Sequence, residues 1–314
     1  MVARKLLKGM VVPLLGAGVN VCGRPVGFTW SPSHAQHLPT GAELAAFLAK
    51  EYETPPELAK TEDLIRISQY IDSVDVSGGE LYQTLHDIFV ADYEPGPVHL
   101  FLARAARLVR ERDQRQVILT TNYDDALERA FENAGEPYDL ITYIASSPSE
   151  YRGRFMHWAP GDPPPPPQVI LSANDYDLGV EKRAVIVKLH GAAHRHKPTE
   201  EDNYVITEDH YIEYLNHTDI TSQLPSVVTE KLRNSSYLFL GYGLKDWNLR
   251  AILRRIWGEQ VMSFGSWAIQ KQVDPIEQAF WRNRKVDILP LDLEEYFELL
   301  GDALDEKIAE EAVT

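Results

Sequence analysis

A chain of 314 residues with 44% hydrophobic and 25% charged side chains has the balance of an ordinary globular protein with enough apolar material for a large core. Lys and Arg number 31 against 47 Asp and Glu, a formal charge of −16 that would repel a nucleic-acid backbone. The lone cysteine, Cys22, excludes an internal disulfide and any zinc site built on several thiolates.

The opening stretch "MVARKLLKGMVVPLLGAG" is basic and then apolar, but the apolar run is short and broken by Pro13 and Gly16. It reads as a first strand, Met10 to Leu15, rather than a signal peptide. No stretch approaches the roughly 20 apolar residues of a membrane span, so a cytoplasmic protein is expected. The strand runs into "GAGVN", where Gly16 and Gly18 either form a plain turn or let backbone amides approach a phosphate or ribose. From Gly41 to about Arg112, four stretches carry apolar residues at helical spacing: "GAELAAFLAKEY", "TEDLIRISQYI", "GGELYQTLHDIF" and "HLFLARAARLVRER".

Val117 to Thr121 return to the sheet, and Leu127, Ala130, Phe131 and Ala134 then keep helical spacing up to Gly135. Asn122, Tyr123 and Asp124 therefore occupy a strand-to-helix loop, at the carboxyl edge where open α/β sheets bind ligands. Asp124 or Asp125 fits a helix cap equally well. Residues 145–180 hold the run "GDPPPPPQ", which can continue neither a helix nor a central strand. An exposed polyproline loop is expected, with a docking motif for a partner the less favoured alternative.

Further strands are predicted at 184–189, 236–241, 265–270 and 285–291, with helices at "TEDHYIEYL", "DWNLRAILRRIWG" and the acidic tail "EEYFELLGDALDEKIAEEA". Strands alternating with helices argue for an α/β fold with a mainly parallel, doubly wound sheet. His190 follows a buried strand directly, so it is either a base at the same edge as Asn122 or a hydrogen-bonded structural histidine. His194 and His196 read as loop histidines rather than a metal site. In "YLFLGYGLKDWNLRAIL", Gly241 and Gly243 repeat the G-x-G turn, and Asp246 either caps the next helix or holds a ribose hydroxyl. Trp247, Trp257 and Trp267 read as packing residues.

Taken together, these strand ends resemble the sirtuin superfamily. Gly16-Ala17-Gly18-Val19-Asn20 is similar to the family's G-A-G-[IV]-S, Thr120-Thr121-Asn122-Tyr123-Asp124 to its T-x-N-x-D, and His190-Gly191 to its H-G, in the same order. The resemblance implies one domain across 1–314: a Rossmann-like core at about 8–40 and 113–300, and a small inserted helical lobe at about 41–112. Two departures stand out. No zinc ribbon of paired C-x-x-C motifs can be built, and "VCGRPVGFTWSP" stands where the family has G-I-P-D-F-R.

Those departures make the chain resemble the zinc-free sirtuin-like domains of bacterial anti-phage defence, which hydrolyse NAD to nicotinamide and ADP-ribose. The resemblance then implies Asn122 and His190 as catalytic residues and NAD as substrate, with no metal. Gly16, Ala17, Gly18, Val19, Asn20, Thr121, Asp124, Gly241, Gly243 and Asp246 would hold the dinucleotide. It also implies a homo-oligomer in complex with a separately encoded sensor or regulatory protein, with no direct nucleic-acid or membrane contact. The alternatives are a non-catalytic subunit that binds NAD or ADP-ribose, and a zinc-independent deacylase.

Overall fold

The computed structural model describes residues 1–33, 36–75, 79–146, 148–195, 202–216, 220–244, 247–257 and 264–312. Its strands are β1 (Val11–Leu15), β2 (Val117–Thr120), β3 (Tyr138–Tyr143), β4 (Phe155–Trp158), β5 (Gln168–Val169), β6 (Ala184–Lys188), β7 (Gly191–Ala192), β8 (Asn203–Tyr204), β9 (Ser236–Leu240), β10 (Ser266–Ile269) and β11 (Val286–Leu289). Its helices are α1 (Val2–Leu7), α2 (Gly41–Glu51), α3 (Pro56–Ala59), α4 (Leu64–Val74), α5 (Glu80–Phe89), α6 (Pro97–Arg110), α7 (Ala126–Asn133), α8 (Glu208–Asn216), α9 (Ser226–Asn234), α10 (Trp247–Trp257), α11 (Pro275–Arg282) and α12 (Leu293–Ala312).

The main sheet has the order β11-β10-β9-β1-β2-β6-β3-β4-β5. It is parallel from β11 through β3, and β4 and β5 add an antiparallel edge. β1 lies between β2 and β9, so the chain first builds to one side of β1 and later returns to build on the other. That reversal is a topological switch point, and the crevice it opens lies beyond the carboxyl ends of the strands.

Side chains alternate along each strand, so β1 sends Val12 and Leu14 to one core and Val11 and Leu15 to the other. The first core is closed by α8, α9, α10 and α11, through residues such as Tyr214, Val228, Ile252 and Trp281. The second is closed by α1, α6, α7 and α12, through Leu6, Leu102, Phe131 and Leu300. The strands covered on both faces read as largely apolar runs. Pro13 sits within β1 even though it cannot donate to a ladder. β2 joins β1 only from Leu14 onward, and the Gln116 side-chain amide meets the Val11 carbonyl at 2.7 Å where the ladder is missing.

The helices α2, α4 and α5 form a third cluster, in which Leu44, Leu48, Ile67, Ile71, Leu85 and Phe89 pack together. This cluster reaches the main body through Tyr123, Ala126, Ala193 and Tyr204. The helix α6, expected in the lobe, packs instead under the sheet beside α1, α7 and α12.

Four elements depart from the expected order. An unexpected helix, α1, precedes the first strand. β3, whose "YDLITY" alternates too little to stand out, pairs with β6 along its length. Within 145–180, taken as a loop, the chain forms β4 and β5, and Pro163 to Pro166 lie exposed between them. Among the described residues no helix is long and apolar enough to cross a membrane.

The two G-x-G turns meet at the switch point. Gly18 N donates to Gly241 O at 3.0 Å and Gly16 N to Leu240 O at 2.9 Å, so the turns touch backbone to backbone. A Cβ on Gly241, whose φ is +67°, would stand 2.3 Å from Val19 N, while one on Gly243 would meet nothing within 4 Å. We therefore expect Gly241→Ala to lower the unfolding free energy by more than about 2 kcal/mol and Gly243→Ala to change it by less than about 1 kcal/mol. Denaturant melts of both variants check this, and equal effects would contradict it.

Candidate active site

A cavity of about 470 Å3 opens at the carboxyl ends of β9, β1, β2 and β6. Its wall brings together Gly16, Ala17, Gly18, Asn20, Thr121, Asn122, Asp124, His190, Gly241 and Gly243, which the motifs had singled out separately. Val19 is the exception, and that expectation is corrected. Its side chain is wholly buried in the core below, and its amide is bonded to Gly16 O at 3.1 Å. Asp246 and His196 lie outside the described residues.

The turn after β1 is a short 3-10 segment, Ala17–Val21. Gly16 and Gly18 are demanded first by the neighbouring turn, since a Cβ on Gly18 would stand 2.6 Å from Gly241 O. Close approach of a ligand is thus not what fixes these two residues as glycine. Asn20 donates through Nδ2 to Pro39 O at 3.0 Å, while its buried Oδ1 has no hydrogen-bond partner within the protein.

The loop after β2 is held from several sides. Thr121 N donates to Leu15 O at 3.1 Å, and Asn122 N donates to Thr120 Oγ1 at 3.0 Å. The Thr121 hydroxyl is 2.6 Å from the Tyr242 hydroxyl, which ties this loop to the β9 turn. The Asn122 carboxamide is held loosely, with Nδ2 3.5 Å from Gly16 O.

The two following carboxylates divide the structural work. Asp124 caps α7, accepting from Ala126 N at 3.1 Å, and burial raises its carboxyl above the ordinary value against the pull of Lys188. Asp125 makes no cap bond. It instead takes Arg195 at 2.7 Å and 2.9 Å together with the Tyr93 hydroxyl. Burial raises its carboxyl, but those donors outweigh burial and hold it below the usual range.

His190, 4% exposed, follows β6. Gly191 turns the chain sharply at φ +89°, where a Cβ would stand 2.2 Å from Asn203 O, so the H-G pair needs its glycine to pair β7 with β8. The His190 ring stands edge-on to Tyr211 and Tyr214, and Nδ1 lies 3.4 Å from the Tyr211 hydroxyl. Nε2 is buried without a hydrogen-bond partner within the protein. Burial, with help from the Arg255 guanidinium stacked 3.9 Å from the Tyr214 ring centre, pushes the imidazole down to about 3. It is therefore neutral throughout the physiological range, a weaker base than an ordinary imidazole.

The sequence reading missed several residues of the cavity wall and of the packing behind it. Tyr211 and Arg255 sit on helices whose spacing looked like ordinary amphipathic packing. Thr40, Gly41, Asp63 and Leu64, at the amino ends of α2 and α4, bring the lobe to the cavity rim. Lys188 was hidden inside "AVIVKL", although a lysine in a strand buried on both faces is itself an anomaly. Among the described residues no three His, Cys, Asp or Glu side chains converge as metal ligands would.

Comparison with known proteins agrees with this architecture. The "NAD(+) hydrolase ThsA" of Acinetobacter baumannii (strain 532279) is 26% identical over 200 residues, 64% of this chain. The chain spans only about a third of that relative's length, 32%. The family model for the SIR2-like domain matches residues 116–289, which include the Asn122 loop, the His190-Gly191 pair and the second G-x-G turn. That match covers more than half of the sequence, and the chain belongs to the SIR2-like family.

Proposed function

We propose that this protein is an NAD+ hydrolase that cleaves the nicotinamide glycosidic bond to give nicotinamide and ADP-ribose. The observation that carries the reading is the pair that lines one cavity: a loosely held Asn122 carboxamide after β2, and a buried, neutral His190 after the adjacent β6. The SIR2-like match and the similarity to a named NAD(+) hydrolase support the same chemistry.

Breaking that bond builds positive charge on the anomeric carbon, as in other glycoside cleavages. The nicotinamide leaves as a neutral ring and needs no general acid. What the site must supply is orientation of the ribose and of a water, in a space closed to competing nucleophiles. With Asn122 Nδ2 turned toward Gly16 O, its Oδ1 accepts from the attacking water or a ribose hydroxyl. With Nδ1 of His190 donating to Tyr211, Nε2 accepts from the ribose hydroxyl beside the breaking bond. A ring with its proton affinity so lowered orients and polarises that hydroxyl rather than carrying away its proton. Gly16 to Gly18 and the Gly241 turn supply main-chain contacts to the diphosphate, and the unpartnered Asn20 Oδ1 takes a hydroxyl donor.

We further propose that the chain acts in the cytoplasm as a homo-oligomeric defence effector, depleting NAD when a separately encoded partner triggers it. This rests on the resemblance to zinc-free defence sirtuins.

The test is nicotinamide release from NAD by purified protein. Asn122→Ala and His190→Ala are each expected to lose about 10²-fold or more in kcat while still binding ADP-ribose. Full retention by both variants would overturn the assignment, and tight NAD binding by the wild type without turnover even when its partner is present would favour the non-catalytic reading.

The second test is the pH profile. Because the folded imidazole titrates near 3, its neutral form is fully present above that value, and kcat/KM should show no His190 inflection between pH 5 and 8. An acid limb centred near 6.5 that disappears in His190→Asn would contradict the neutral ring.

A further inference from the structure

Lys188 closes β6 with its side chain completely buried, 0% exposed. Nζ donates to Tyr123 O at 3.2 Å, to Asp124 O, and to Glu128 Oε1 at 2.8 Å. All three ammonium protons are thus used, two of them on consecutive carbonyls of the loop that presents Asn122. Asp124 and Asp125 also feel the charge of this lysine. His99, held neutral by burial and by this same lysine, contributes no charge, and Glu128 is the carboxylate in contact with the ammonium.

A lysine in so dry a place requires compensation, and a well-packed apolar pair of similar volume would be at least as stable. The geometry that keeps it is therefore informative. Asn122's own carboxamide has only the 3.5 Å approach to Gly16 O, so the position of that side chain is set by the backbone on which it stands. On one side that backbone is pinned by Thr121 N and Asn122 N. On the other side Lys188 holds the carbonyls of Tyr123 and Asp124, the Tyr123 carbonyl also accepting from Ala193 N at 2.9 Å.

We propose that Lys188 is a positioning residue for the NAD-cleaving site: it clamps the carbonyls of Tyr123 and Asp124 so that Asn122 faces His190 across the cavity. Both residues of the pair then hang on one strand, β6, which carries Lys188 at its last position and His190 two residues later. The inference rests on the hydrolase reading, and its test separates the two.

Two variants are needed. Lys188→Met alone leaves Glu128 buried without its cation and is expected to lose stability. The double variant Lys188→Met with Glu128→Met removes both charges together, and should fold with a melting point near that of the wild type. If the lysine served only to balance Glu128, the double variant would regain full activity. As a clamp, it leaves the double variant folded but with kcat lowered by about 10²-fold and KM for NAD within roughly threefold of the wild type.

Amide hydrogen exchange gives a readout that needs no turnover. In the double variant, exchange across residues 121–126 should accelerate by about tenfold or more while β2 stays protected. Unchanged loop exchange, or full kcat in the folded double variant, overturns the clamp. A wild type that binds NAD but releases no nicotinamide even with its partner present overturns the hydrolase reading instead, and loop exchange still decides whether Lys188 is the clamp.

Discussion

The carbonyl of Gly241 lies against the backbone of Gly18 at a distance that no Cβ would allow, and the rest of the site is arranged around this contact. β1 and β9 are neighbours that the chain visits more than two hundred residues apart, and their carboxyl ends are joined by the two glycine turns alone. Because both turns are glycine, main chain rather than side chain forms the floor of the cavity. Because the sheet reverses its order at β1, that floor sits where helices cannot cover it. The lobe helices α2 and α4 then close the rim from above.

Around that floor the protein separates charge from catalysis. The residues we assign to chemistry are both uncharged: a carboxamide and an imidazole that burial keeps neutral. Several charged groups nearby are spent on the frame, although Asp63 and Asp124 also line the cavity. Asp125 is tied to Arg195, Glu128 to Lys188, and Asp124 caps α7. This division suits a reaction in which positive charge grows on the sugar while the leaving group departs neutral, since a permanent cation beside the anomeric carbon would oppose it.

Much of the fold was legible because parallel strands covered on both faces are largely apolar, as β1, β2, β6, β9 and β10 are, while β11 at the sheet edge exposes Asp287 between Val286 and Ile288. β3 escaped notice because its Tyr138, Asp139 and Thr142 dilute the apolar run, and only tertiary pairing with β6 makes a strand of it. β4 and β5 escaped because prolines lie between them; the prolines form the connection and the strands form the edge. The motif residues were legible as strand-end chemistry, and all those described except Val19, Thr120 and Gly191 line one cavity.

The environment of those residues was not legible. Nothing in "KLHG" says that Tyr211, Tyr214 and Arg255, contributed by helices further along the chain, will drive His190 out of its ordinary range. Nor does spacing reveal that the lysine before it reaches across to the Asn122 loop. These are consequences of packing, which periodicity cannot report.

The account's central claim is that NAD enters the cavity with its nicotinamide ribose between Asn122 and His190. A crystal structure of the Asn122→Ala protein with NAD tests it most directly. The account predicts an intact glycosidic bond beside His190, with a ribose hydroxyl within about 3.2 Å of Nε2 and the diphosphate against the glycine turns. A dinucleotide bound elsewhere on the protein, or bound in the cavity with its nicotinamide end away from His190, would contradict it.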